Sequence, residues 1–171
     1  MKFVAVLLSA GLLLAPSYAF GGHTLTQREQ SALSAWVSAN PTFRAAIAED
    51  CDCKEDIAQL RRESDGKWKA IPDYQPYVAT GDFNGDSHRD FAVVVIHTSE
   101  HAERRFSLLV FNGPFGRSEP TPAFKRSGLD LHHQGLFFGA PRPRPYRLVV
   151  GPFESEGALL IPRGKSYVWK P

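Results

Sequence analysis

The sequence predicts an α+β fold, with short N-terminal helices packed on a mainly antiparallel β-sheet. Three observations predict it. Helical periodicity and capping signals are confined to residues 20–66. From residue 77 onward the apolar residues come in short β-branched and aromatic runs. Gly, Pro, Asn or Asp bounds each run, as it does for strands. Helices first and strands second is the order of an α+β domain, whose helices cover one side of the sheet.

The elements follow in order. Thr26-Gln27-Arg28-Glu29 has capping-box spacing, and Leu33, Trp36 and Val37 then share one helical face. Asn40-Pro41 ends that helix and starts a second, with Phe43, Ala46 and Ile47 as its apolar stripe. Asp52-Cys53-Lys54-Glu55 repeats the capping spacing ahead of Ile57 and Leu60. Strands are expected over Tyr77–Thr80, Phe91–Ile96, Phe106–Phe111, Gly135–Phe138, Tyr146–Val150, Ala158–Ile161 and Ser166–Trp169. Pro162–Lys165 reads as the turn of a terminal hairpin, and Gly116–Gly128, without periodicity, as loop. Pro141–Pro145 alternates proline with arginine and reads as a stiff basic connector. Trp68, Tyr74, Tyr77 and Trp169 are expected in the core of a small domain.

The first 19 residues have the three parts of a secretory signal peptide. Lys2 supplies a positive start, Phe3–Ala15 an apolar run, and Ser17-Tyr18-Ala19 the small residues read by a peptidase. Cleavage is expected before Phe20. It leaves one domain over residues 20–171, long enough to bury a core. The apolar run of about 13 residues is short of the ~20 that span a bilayer, and no later stretch is apolar enough to do so. The expected location is periplasmic or secreted.

Charge is uneven along that domain. Residues 20–103 carry 8 Lys/Arg against 14 Asp/Glu, and residues 104–171 carry 11 against 4. Either the halves neutralise each other in the fold, or they give a bipolar surface for a charged partner. The basic cluster Arg142/Arg144/Arg147 is short, and an exported chain seldom meets DNA, so no nucleic-acid partner is expected.

Both cysteines, Cys51 and Cys53, lie in Glu49-Asp50-Cys51-Asp52-Cys53. An oxidising compartment favours pairing them. Positions i and i+2 of a helix do not face each other, so a bridge requires non-helical backbone there. Flanking Asp50 and Asp52 disfavour a reactive thiolate.

The stretch that carries most chemistry is Gly81-Asp82-Phe83-Asn84-Gly85-Asp86-Ser87-His88-Arg89-Asp90, followed by the apolar Phe91–Ile96. Oxygen side chains recur at Asp82, Asn84, Asp86 and Asp90, which are positions 1, 3, 5 and 9 of a loop. Calcium takes six to eight hard oxygen ligands, and alternation in a tight turn delivers them. The alternative is an aspartate-rich turn that caps its own backbone amides.

This loop resembles the FG-GAP or VCBS-type repeat of integrin-like β-propellers, over about 20 residues. The resemblance implies calcium, held by the side chains of Asp82, Asn84, Asp86 and Asp90 and the carbonyl of His88. It does not imply a propeller, because only one copy is present where several blades are needed. Position 6, usually glycine, is Ser87, which strains the turn. An EF-hand is excluded, because its bidentate glutamate would fall on Val93.

Weaker constellations remain. Asp130 and His132 would share a face of a strand, with His133 opposite. His97 and His101 have i, i+4 spacing in a turn-like context. Neither Ser107 nor Ser155 sits in a nucleophile elbow. The expected function is an exported, non-catalytic binding or accessory protein, with an envelope or protein partner and a structural calcium loop. A hydrolase-like enzyme using the Asp82–Asp90 carboxylates and a structural envelope protein are the alternatives.

Overall fold

The computed structural model describes residues 23–62, 69–99, 105–116, 120–139 and 144–171. The leader expected over residues 1–19 lies outside them, as do Trp68, His101 and residues 141–143 of the basic connector.

Helix α1 (Gln27–Ala39) starts at the expected capping box. Glu29 N donates to Thr26 Oγ1 at 3.4 Å, and Thr26 N donates to Glu29 Oε2 at 2.6 Å. Its apolar face, with Leu33, Trp36 and Val37, packs on one face of a β-sheet.

That sheet contains β1 (Phe43–Ala45), β2 (Val78–Gly81), β3 (Asp90–His97), β4 (Phe106–Phe111) and β5 (Phe124–Leu129). The order is β1-β3-β4-β5, with β2 also paired to β3, and all pairings are antiparallel. A second antiparallel sheet runs β6 (Gln134–Phe137), β7 (Leu148–Pro152), β8 (Ala158–Arg163) and β9 (Ser166–Lys170) in sequence order. The fold is α+β, with its strands divided between two sheets.

Alternation along β3 explains the layering. Phe91, Val93 and Val95 join Trp36, Leu109 and Phe111 under α1. Ala92, Val94 and Ile96 join Phe106, Leu108, Val110 and the second sheet's Leu136, Leu148 and Leu160. The first sheet is therefore covered on both faces. A strand buried on both faces reads as a continuous apolar run, as Phe91–Ile96 does.

Three expectations are corrected. Phe43–Ala45 is a strand, not the start of a second helix. It pairs with the end of β3, Phe43 opposite His97 and Ala45 opposite Val95, and Thr98 N donates to Thr42 O at 2.9 Å. Long-range ladder bonds outweigh the local helical pattern there, and Ala48–Cys51 forms only a 3-10 turn. The stretch read as loop contains β5. Its Lys125–Gly128 are exposed at a sheet edge, so no alternating apolar signal marks it. Helix α2 (Lys54–Leu60) begins one residue later than the capping spacing implied: Cys53 is the N-cap and makes no side-chain cap bond. Asp52 has φ 53°, which takes it out of the helix.

That left-handed residue sits between Cys51 and Cys53, which are joined by a disulfide with a Cα–Cα separation of 5.2 Å. Both cysteines are buried beside Ile57, Tyr77 and Leu131. Tyr74 and Tyr77 are core residues, and Trp169 is packed against the same cluster.

Candidate functional site

The acidic loop is the β2–β3 connection. Gly81 pairs with Asp90 where the two strands part, so Asp82–Arg89 close a hairpin. Gly85, with φ 80°, and Ser87, with φ 68°, both take left-handed backbone. Only glycine does so without steric cost, so Ser87 carries the strain its position implied.

The loop's oxygens are organised by its own amides. Asp82 Oδ1 accepts from Gly85 N at 2.7 Å and Asp86 N at 3.0 Å, and its Oδ2 from Ser87 N at 2.9 Å. Asn84 Oδ1 accepts from Asp86 N at 2.9 Å. Asp86 Oδ1 accepts from His88 N at 2.9 Å, and its Oδ2 from Asn84 Nδ2 at 3.1 Å. Slight burial pushes the Asp86 carboxyl up. Bonds from the His88 amide, Asn84 and the His88 ring outweigh that and hold it below the usual carboxylate value.

Asp90 differs from these half-buried and exposed groups. It is fully buried. Its Oδ2 accepts from Phe83 N and its Oδ1 from Gly113 N, both at 2.9 Å. Tyr167 of β9 places its hydroxyl 3.4 Å from Asp90 Oδ2 and 2.7 Å from Asn112 Oδ1. Asn112 is oriented by its Nδ2, which donates to Lys165 O at 3.0 Å. One phenolic proton cannot serve both oxygens, and the shorter distance assigns it to Asn112. Burial raises the Asp90 carboxyl to about 6, helped by the Asp86 and Asp82 charges and opposed by the Gly113 and Phe83 amides. Burial, and then the Asp90 charge, push the Tyr167 phenol upward as well.

The set is oxygen-only, as a hard cation requires. An ionised carboxylate has about four acceptor positions, and Asp82 uses three of them on amides. Among the described residues, no three His, Cys, Asp or Glu side chains are grouped to hold an ion by themselves. Asn84, backbone carbonyls and water would have to complete any coordination sphere.

Of the other expected constellations, Asp130 and His132 do meet, though in the turn before β6 and not on a strand. Asp130 Oδ1 lies 2.8 Å from His132 Nδ1. Slight burial pushes the Asp130 carboxyl up, but bonds and charge from His132 outweigh it, so the group is held ionised. His133 turns away with φ 54° and reaches Asp52 at 3.7 Å. His97 accompanies Ser99 and Phe43, and its expected partner His101 lies outside the described residues. Among the described residues, the lining of a groove of about 1160 Å³ between α1 and the β4–β5 connection contains no acidic residue or histidine. A smaller cleft of about 420 Å³ is flanked by Asp130, Glu156 and Trp169. Neither cleft is lined by Asp82, Asp86 or Asp90.

Sequence reasoning missed the residues that hold the loop from outside. Arg89 donates from Nε to Glu29 Oε1 and from a terminal nitrogen to Thr24 O, both at 2.9 Å. Glu29 was legible as a capping residue but not as a buried ion-pair partner. Tyr167 and Gly113 carried only strand and turn signals. In comparisons with known proteins, no family model, no curated protein and no solved structure matches the chain.

Proposed function

We propose that this chain is an exported, non-catalytic binding or accessory protein whose Asp82–Asp90 loop takes calcium as a structural ion. The observation that carries the reading is the pre-folded loop. The half-buried Asp82 and Asn84 and the exposed Asp86 present oxygens held in place by bonds to amides at Gly85, Asp86, Ser87 and His88. Those side chains, with the His88 carbonyl and Asp90 at the loop's inner end, would hold the ion. Bound there, calcium neutralises clustered carboxylates and stiffens the hairpin.

Two further observations support the reading. The leader-like residues 1–19 and the Cys51–Cys53 disulfide both fit an oxidising, extracytoplasmic compartment. The carboxylates of the loop are engaged in holding backbone, which suits a staple better than acid–base chemistry. Asp90, the one with a raised value, is sealed from solvent.

Calorimetric titration of the mature protein tests the ion. The expected affinity is that of extracellular calcium modules, a Kd of about 10⁻⁴ to 10⁻³ M. Calcium at ten times that Kd would add about 1.4 kcal/mol of stability. An identical melting temperature in calcium and in chelator would overturn the calcium reading. Capture from the producing cell's own envelope fraction tests the binding role, and recovery of no partner would count against it.

A further inference from the structure

We propose that residues His23–Thr26 form an acid-released strap, which undocks when His23 takes up a proton while the two-sheet body stays folded. The strap is the described segment that leads into α1, and it has no ladder bonds to either sheet.

Among the described residues, its attachments are hydrogen bonds and two side-chain packing contacts. His23 is 4% exposed. Its Nδ1 lies 2.6 Å from Val78 O and 3.2 Å from Gln75 O. Both neighbours are acceptors, so Nδ1 carries the proton and the neutral ring is the Nδ1–H tautomer. The ring lies against Tyr74 at a centroid distance of 4.4 Å. Asp73 Oδ2 accepts from His23 N at 3.4 Å and from Thr24 Oγ1 at 3.3 Å. Beyond these, Arg89 holds the Thr24 carbonyl, and Leu25 packs against the cluster under α1.

Val78 opens β2, which pairs on one side with β3. The imidazole therefore caps a carbonyl at the end of a short strand, and it does so from a buried position. A second proton would place a full positive charge in that position. Asp73 is the anionic neighbour and favours that charge. Arg61, which donates to Tyr74 O from the end of α2, and Arg89, on Thr24 O, bring positive charge to the same region. Glu29 is occupied with Arg89 and Thr26 N. The balance falls against the charged ring: burial lowers the His23 value, outweighing the Val78 and Gln75 carbonyls and Asp73.

The sign follows from that direction. A histidine whose value is lowered on folding contributes full stability above its unfolded value near 6.5, and loses it as pH falls through the folded value. The strap opens at lower cost than the sheets, because local opening follows the least-bonded segment. Release would uncover the seat of Leu25 and the start of β2.

Hydrogen–deuterium exchange of the full mature chain tests this, at about pH 7.5 and about pH 5, with rates normalised to the unfolded chain. Amides of the strap and first turn of α1 should lose protection by up to about tenfold per pH unit between the unfolded imidazole value near 6.5 and the lower folded value, and no further below it, while β3 and β4 keep theirs. His23→Gln keeps a donor without titrating, and its strap should stay protected at both pH values. The proposal is overturned if the wild-type strap stays protected, if β3 opens with it, or if the glutamine variant shows the same loss. Should that variant fail to fold, direct NMR titration of His23 in the wild type decides. An imidazole value at or above the ordinary 6.5 would overturn the strap, and a lower one supports it.

Discussion

Arg89 donates its Nε–H to Glu29 Oε1 at 2.9 Å, so the eighth residue of the acidic loop is tied to the first turn of α1. Glu29 is 1% exposed, and the same carboxylate caps its own helix through Thr26 N. One buried charge thus serves two elements 60 residues apart.

Arg89→Ala would leave that buried carboxylate without its cation. Breaking a buried pair by removing one partner typically costs about 3–5 kcal/mol. The Arg89 side chain is itself 36% exposed, so water can enter the space its guanidinium leaves, and a loss of about 2 kcal/mol is expected. Urea denaturation measures it. Glu29→Gln, which can still cap Thr26 N, should lose less than Glu29→Ala.

Ser87→Gly should stabilise the protein. Its φ of 68° lies where a side chain costs about 1–2 kcal/mol, and the amide bond from residue 87 to Asp82 is kept. The expected gain is about 1 kcal/mol, less what glycine adds to the unfolded chain's freedom. On the calcium reading, calorimetry should also find tighter binding in this variant. Asp82→Asn with Asp86→Asn should abolish the calcium-dependent melting shift.

Asp90 gives a pH dependence of opposite sign to His23. Its carboxyl is raised on folding from 3.8 to about 6. The folded state therefore binds this proton more tightly, and favours folding below the unfolded value. The advantage is lost as pH rises through about 6, after which the buried charge is a constant penalty. Measured by urea denaturation in chelator, wild-type stability relative to Asp90→Asn should fall between about pH 4 and about pH 6 and level off above that. A pH-independent difference would contradict it.

Tyr167→Phe removes the hydroxyl that bonds Asn112 and borders Asp90. A loss of about 1 kcal/mol is expected, as for a typical net hydrogen bond. Because the C-terminal hairpin is also pinned through Asn112 to Lys165 O, proteolysis at that hairpin should quicken more than the global loss alone predicts.

Much of this architecture was legible. Thr26 and Glu29 announced α1, because a capping box is a local device with fixed spacing. The Phe91–Ile96 and Phe106–Phe111 runs announced central strands, because burial on both faces leaves every position apolar. Phe43–Ala45 was not legible, since a three-residue strand owes its form to its partner and not to its own pattern. β5 was hidden for the opposite reason: an exposed edge strand can be Lys-Arg-Ser-Gly. In the loop, the spacing of Asp82, Asn84 and Asp86 was visible. The burial of Asp90 was not, because Gly113 and Tyr167 approach it from 23 and 77 residues away.

That separation bears on the order in which the molecule can assemble. Asp90 and Tyr167 meet only when β9 is present. The first sheet could begin pairing once residues 43–129 are available, but the floor of its β2–β3 hairpin lacks a wall until β9 arrives. Contacts this distant make for slow, late consolidation. A chain that emerges N-terminus first would carry an unsealed hairpin until β9 appears. Truncations that remove only β9 should therefore open the distant β2–β3 hairpin as well as fraying the C-terminus.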